Sequence, residues 1–508
     1  MSAASTSGAG DNDDIAALAK GGRTNFLGFL LRLIARMPFL FIAGRLYGPQ
    51  ELGRFASAMI VVELAALLCT LGQKRGLAQR LAEEPDQPAN VVADAMLLVT
   101  LLAIPVSLLL YAFPVIIFPH GDISMLDRLV VLSILPSALT EIALAALAYR
   151  YDIGATVRAR SVVEPWVLSI SAGLLWFVAK PSGLLLAFVL SIFAAALTAL
   201  WPLATSYGPP RRWRPRPLQL ARIAAANLPL AAADALEWIT RRADIFILRF
   251  FAGEAAVGIY FVAQQLASLP QKLKSSFDPI LGPVITRNLR DSNFAAIAKQ
   301  VCQVGFWITA MQAGVALALG ITGEGWLGLV GPSFVAGNGA LAFLLIAEVL
   351  AATAVVSEAA LIYVARIQNL WASVLTLVVQ AGATVGLMLL VSRLGYSDMY
   401  IAAMAGAGLM VALGFASLVK AWLLARKLRH PINNWRWPLI WAAIPAAVIG
   451  WAATQFLPEW AELAFGAPAT LTAYGFIIWH WGFGPEDRML FRKSAVPSEA
   501  EAKQSVEA

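Results

Sequence analysis

Apolar runs of about 20 residues, separated by short polar turns, set the pattern of this chain. A helix of that length crosses roughly 30 Å of hydrocarbon at 1.5 Å per residue. About fourteen such runs can be drawn, at 25–46, 52–72, 92–118, 127–149, 160–179, 183–205, 222–250, 256–282, 301–322, 338–364, 370–391, 399–424, 438–457 and 461–482. A membrane β-barrel would show short segments of alternating apolar and polar positions instead. The pattern therefore predicts an all-α polytopic membrane protein with about 14 transmembrane helices. The polar stretches between runs are brief and leave no room for an extramembrane domain.

Composition agrees. Hydrophobic residues make up 59% of the chain and charged residues 14%, with a mean hydropathy of +0.71. A soluble protein is nearer 45–50% apolar and about 25% charged. Cys69 and Cys302 both fall in apolar runs and read as small core residues, not as a disulfide framework. His120, His430 and His480 are too scattered for a metal site, so neither a metal nor a cofactor is expected. The net charge of +7 carries no nucleic-acid signature; its distribution is what informs. With the N-terminus inside, the cytosolic connections hold Lys and Arg over the opposite side by roughly four to one. An even number of spans then brings the C-terminus inside as well.

The chain divides accordingly. Residues 1–22, with Asp11, Asp13 and Asp14, lack the apolar run of a cleavable signal and read as a disordered cytosolic tail. An N-terminal lobe (23–208) and a C-terminal lobe (221–425) flank a basic cytosolic linker (209–220). Two further helices occupy 426–484, and a cytosolic tail follows (485–508). The linker contains Arg211, Arg212, Arg214 and Arg216, a topology signal suited to anionic headgroups.

The two lobes carry a weak repeat. The first run ends Arg45-Leu-Tyr-Gly-Pro-Gln-Glu-Leu-Gly53-Arg-Phe55, and the seventh ends Arg249-Phe-Phe-Ala-Gly-Glu-Ala-Ala-Val-Gly258-Ile-Tyr260. An arginine, a small-residue turn, a glycine and an aromatic coincide after one insertion. At an offset of about 205 Arg36 falls on Arg241. Six spans separate the copies, so they share an orientation, and a parallel repeat places a site where its two halves meet.

Charges inside apolar runs mark that site. Charge at bilayer depth is expensive and usually faces a bundle interior or a water-filled cavity. The seventh run contains Asp234, Glu237, Arg241 and Asp244, which steps of three and four place on one helix face. Adjacent Arg242 lies about 100° away. Arg241 has two readings, a private i,i+4 pair with Glu237 or a cavity-lining cation. Arg32 and Arg36 either snorkel to the headgroups or face the cavity; Arg36, about 16 Å in, snorkels less easily. Lys272 and Lys274 close the eighth run as a helix end or as a basic entry to the lumen. Glu63, Glu141, Glu164, Glu348 and Glu358 stand singly in other runs, as proton or sodium sites or as hydrogen-bonded packing residues. The lumen cations are thus Arg32, Arg36, Arg241, Arg242, Lys272 and Lys274. Asp234, Glu237, Asp244, Glu63 and Glu358 would tune their charge or couple transport to a proton or sodium ion.

No G-x-x-x-x-G-K-[ST], H-E-x-x-H or G-x-S-x-G occurs, which argues against a built-in ATPase, metalloprotease or serine hydrolase. Movement of a solute remains. Here the chain resembles the polysaccharide flippases, the Wzx-type O-antigen exporters of the multidrug/oligosaccharidyl-lipid/polysaccharide exporter superfamily. The resemblance lies in the Arg45–Phe55 stretch, in Gly258-Ile-Tyr260-Phe-Val-Ala-Gln, and in span order over roughly residues 25–425. It implies a MATE-like fold of two parallel six-helix lobes plus two C-terminal helices. It also implies a bacterial cytoplasmic (inner) membrane location and, as cargo, an undecaprenyl-diphosphate-linked oligosaccharide flipped to the outer leaflet. Membrane lipids and polysaccharide assembly enzymes are the partners expected, nucleic acid is not, and the working unit is taken as a monomer. Alternatives are a lipid II flippase, a MATE-type drug or cation antiporter, and, from another class, a membrane glycosyltransferase or polymerase. Trp238 is placed to stack on a sugar face or simply to pack.

Overall fold

The computed structural model describes residues 37–120, 123–273, 285–286, 288–290, 292–484 and 487. Arg32, Arg36 and Lys274 lie outside the described residues, as does the side chain of Lys272. Among the described residues the regular structure is helical throughout, and ten helical stretches are long and apolar enough to cross a membrane. The protein is a multi-pass membrane protein.

Most of the described helices overlap predicted runs; α3 does not, falling between the second and third. They are α1 (37–47), α2 (Gly48–Thr70), α3 (Gln73–Glu83), α4 (Pro88–Ala112), α5 (Ile134–Tyr149), α6 (Glu164–Leu175) and α7 (Gly183–Tyr207). The later ones are α8 (Pro217–Phe251), α9 (Glu254–Leu273), α10 (Phe294–Ile321), α11 (Asn338–Val364), α12 (Arg366–Arg393), α13 (Asp398–Leu428), α14 (Pro438–Phe456) and α15 (Glu459–Gly482). Proline opens α4, α8 and α14, where its missing N–H would have no helical partner. Pro105, Pro202, Pro229, Pro270 and Pro445 also sit within helices, as membrane helices tolerate when neighbours take up the freed carbonyls.

Polarity is inverted relative to a soluble bundle. On α12 the buried face carries Asn369, Thr376, Gln380 and Thr384, whereas Ile367, Trp371, Leu375, Val378 and Leu389 point outward. Leu101, Leu108, Leu197, Trp201, Leu418 and Trp422 are exposed on other helices in the same sense. Hydrocarbon, as apolar as these side chains, is the solvent such a surface requires.

Within the early part of the chain α2 packs on α5, α5 on α7, and α7 on α6. Later, α13 packs between α11 and α12, and α10 holds α11 together with the α14–α15 hairpin. Two helices join these groups. The stretches identified as repeats meet face to face where α2 crosses α9: a Cβ on Gly53 would overlap the Glu254 carbonyl, and one on Gly258 the Pro49 carbonyl. Only glycine lets the two backbones approach so closely. Phe55, one residue pair further on, packs against Phe39, Phe188 and Phe261. The second joining helix is α8, which touches α2, α3 and α4 on one side and α9, α12 and α13 on the other. Its 35 residues amount to about 50 Å, more than a bilayer core needs.

Candidate functional site

The acids of α8 find their partners on α3. Left-handed backbone at Leu71 (φ 46°) and Gly72 (φ 66°) ends α2 and turns the chain into α3. That corner lies against α8: a Cβ on Gly72 would come within 2.5 Å of the Ala231 nitrogen, and one on Gly76 would overlap the Asn227 side chain. The first residues of α3 include Lys74 and Arg75, about 100° apart around the helix and so aimed in different directions. Arg75 reaches α8, its Nε 2.8 Å from Asp234 Oδ1 and its Nη2 3.0 Å from Glu237 Oε2. Lys74 reaches back to α5, with Nζ 2.8 Å from Glu141 Oε2.

Charge continues on both sides of this corner. Glu141 also takes Arg160 at 2.6 Å, and Arg160 takes Glu164 at 2.7 Å. Glu237 is shared: its Oε1 accepts from Arg241 Nη2 at 3.1 Å. A continuous seam therefore runs Glu164–Arg160–Glu141–Lys74, then Arg75–Asp234 and Glu237–Arg241, from α6 to α8. Asp234 is buried, and its Oδ2 has no hydrogen-bond partner. Arg75 and Arg241 are about half exposed, at 52% and 45% of their side-chain surface.

Asp244 does not join Asp234, Glu237 and Arg241, although all four were expected on one face. At 100° per residue it lies roughly 80° around the helix from Asp234, enough to turn it into the α9 interface. There it is fully buried, accepting hydrogen bonds from the Tyr260 hydroxyl at 2.5 Å and from Gln264 Nε2 at 3.1 Å. Arg242 turns the same way, donating to Gln264 Oε1 at 3.3 Å and lying 3.7 Å from Glu63 Oε2 of α2. Glu63, Arg242, Gln264, Asp244 and Tyr260 form a second network, which among the described residues shares with the first the α8 backbone. Glu358 stands apart from both: Lys420 of α13 lies 2.8 Å from it and also donates to Ser373 of α12.

Several participants were not singled out from the sequence. In the sequence Lys74, Arg75, Arg160 and Lys420 read as charges of cytosolic connections, and Arg54 and Arg249 as charges of turns on the opposite side. The i,i+4 spacing of Arg160 and Glu164 was a legible signal; the reach from α3 to α5 and α8 was not, because it depends on how α3 folds back. At the other end of α2, Arg54 pairs with Asp127 at 2.6 Å and lies 3.7 Å from Glu254 at the start of α9. Arg249 is 1% exposed and donates to the carbonyls of Ser57, Ile116 and Ile117. The 23 residues of α2 separate the two ends by about 35 Å. Among the described residues no group of three or more His, Cys, Asp or Glu is arranged to hold a metal ion.

The described residues thus form a polytopic helical bundle with charged networks where its early and late helices meet. The chain belongs to the family described as "Polysaccharide biosynthesis protein", whose profile matches residues 18–289. No curated protein matches it by sequence. Among solved structures it is similar to "Lipid II flippase MurJ, inward closed conformation", with a TM-score of 0.68, 12% identity, and coverage of 93% of this chain and 100% of that one. An inward-facing multidrug resistance MATE family transporter of the MOP superfamily gives a TM-score of 0.58 at 15% identity, over 79% of this chain and 95% of that one. A MOP superfamily transporter from Pyrococcus furiosus gives 0.57 at 13%, over 81% and 95%. At such identities the likeness is one of fold.

Proposed function

We propose that this protein is a flippase that moves an undecaprenyl-diphosphate-linked oligosaccharide from the cytosolic to the outer leaflet of a bacterial inner membrane, for surface polysaccharide biosynthesis. The observation that carries the reading is the half-exposed, paired cations of the α3–α8 seam. Charge held inside an apolar bundle without being sealed needs a polar space to face. A diphosphate leaving water needs cations to replace its hydration, and guanidinium groups do so with paired, charge-assisted hydrogen bonds. Family membership supports the polysaccharide side of the reading.

In this reading two six-helix lobes rock against each other, with both termini cytosolic, and no covalent chemistry takes place. Arg75, Arg241 and Arg242, joined by Arg32, Arg36, Lys272 and Lys274, offer the anion its contacts. Asp234 and Glu237 keep the arginines oriented and prevent retention too tight for release. Glu63, Asp244 and Glu358 are the acids left for a coupling proton or sodium ion. Purified protein in liposomes should make a labelled undecaprenyl-diphosphate oligosaccharide accessible from the far leaflet; empty-liposome rates, with and without an ion gradient, would sink the idea.

A second reading, a lipid II flippase, is favoured by the full-length likeness to the MurJ structure. The same assay run with lipid II in place of the oligosaccharide substrate separates the two. A drug-cation antiporter fits less well, since arginines in the lumen repel organic cations.

A further inference from the structure

The Lys74–Arg75 corner joins two halves of the charged seam in a way that packing alone does not require. Lys74 ties α3 to α5, in its own half of the chain, and Arg75 ties the same helix across to α8. Gly72 and Gly76 bring the backbone of this corner directly onto Asn227–Ala231 of α8. The approach is thus tight where the glycines sit and electrostatic one residue away. A tight approach and an ion pair with one buried partner, Asp234, thus share one small contact.

We propose that this corner is a cargo-released latch: Arg75, held by Asp234 and Glu237, closes α3 onto α8, and an anionic diphosphate opens it by taking Arg75. Release by cargo rests on the proposed anionic substrate; closure by Arg75 does not. A guanidinium shared between two separate carboxylates meets each of them at one nitrogen. A phosphate group presents geminal oxygens that match the guanidinium fork and adds charge. Once Arg75 turns to the anion, Asp234 and Glu237 stand one helical turn apart as like charges, with Arg241 neutralising only Glu237. The carboxylates left without Arg75, buried Asp234 above all, then gain hydration as α3 moves off α8, which favours separation. Lys74 makes the opening directional, because its bond to Glu141 keeps α3 with α5 while α8 moves away. A surface ion pair that merely decorates a helix would lack that second tether.

Cross-linking tests the latch without reference to transport. In a background free of native cysteines (Cys69→Ala, Cys302→Ala), Gly76→Cys and Asn227→Cys place thiols on the two faces in contact. The full-length protein in nanodiscs is oxidised, and unreacted thiols are counted with a maleimide-polymer label. Adding Arg75→Ala should slow cross-linking by about three- to tenfold, the scale of a partly exposed ion pair. Arg75→Glu should slow it further, and Asp234→Lys with Glu237→Lys on that background should restore it, which excludes misfolding as the cause. Equal rates with and without Arg75→Ala, or no rescue by the charge swap, overturn the latch. Geranyl diphosphate as probe should slow cross-linking of the parent but not of the Arg75→Ala variant, and geraniol should affect neither. A latch that depends on Arg75 yet ignores geranyl diphosphate overturns release by cargo and leaves closure by Arg75 in place; the anionic-cargo reading falls separately, if labelled undecaprenyl-diphosphate oligosaccharide is not flipped in liposomes.

Discussion

Arg249 shows what a single charge does when it is not paired with an acid in the positions around it. Its guanidinium is spent on three main-chain carbonyls, of Ser57 in α2 and of Ile116 and Ile117 beyond α4, and it lies against the faces of Phe246 and Phe250 at 5.5 and 5.1 Å. Ser57 and Ile117 are buried with it, so Arg249→Ala should leave their carbonyls short of a donor and destabilise the protein by about 2–4 kcal/mol, as thermal unfolding in detergent would report. Arg249→Lys should recover only part, since an ammonium lacks the planar fork that reaches several acceptors. Asp487, beyond the last helix, makes a contrasting case. Burial works to raise its carboxyl, but hydrogen bonds from Arg436, the Gly484 N–H, Trp307 and Gln303 outweigh that and hold it below the usual carboxylate range. A depressed folded value contributes stability that is present at neutral pH and lost as pH falls through it. Thermal stability should therefore drop below about pH 4, and Asp487→Asn should be less stable at neutral pH and lose that part of the acid response.

Helix crossings carry the next level. At the α2–α9 crossing Gly53 and Gly258 meet backbone to backbone. In a helix interior glycine is worse than leucine by roughly 1 kcal/mol, so a filler glycine would be improved by Gly258→Leu. The close approach reverses the sign: a side chain there must push α2 and α9 apart, and Gly258→Leu should lower the unfolding temperature and abolish translocation. A variant with a raised unfolding temperature would show the crossing to be looser than described. This crossing was legible in part, because the Arg45–Phe55 and Arg249–Tyr260 stretches had already been matched; that the two copies touch each other was not. Spans were legible because bilayer thickness sets their length and their apolar content. The site was legible only where acid and arginine share a helix, as Glu237 and Arg241 do. Arg75 and Lys74 escaped because a polar dipeptide after an apolar run reads as a connection, and nothing local says that Gly72 turns it back against α8. Asp244 was misassigned to the common face because a few residues of helical drift decide between lumen and interface.

For the whole molecule the decisive feature is that contacts between the early and late helices close both ends of α2, with Gly53 on Gly258 at one and Arg75 on Asp234 and Glu237 at the other. In the proposed flippase cycle, open to one side at a time, these contacts break alternately, since breaking both would leave a leak and breaking neither would leave cargo trapped. Locking one end is then enough to stop the cycle. With Gly76→Cys and Asn227→Cys oxidised, the protein in liposomes should lose translocation of labelled lipid-linked oligosaccharide. Reduction should restore the rate to that of the unoxidised double-cysteine protein, a comparison that removes any loss due to the substitutions themselves. The magnitude separates a gate from a mere neighbour: cross-linking two helices that never part would leave the rate unchanged, whereas locking an obligatory gate removes it in proportion to the fraction cross-linked. Full activity in fully cross-linked protein would place the moving contact elsewhere on α8 and leave the α3 corner as part of its static frame.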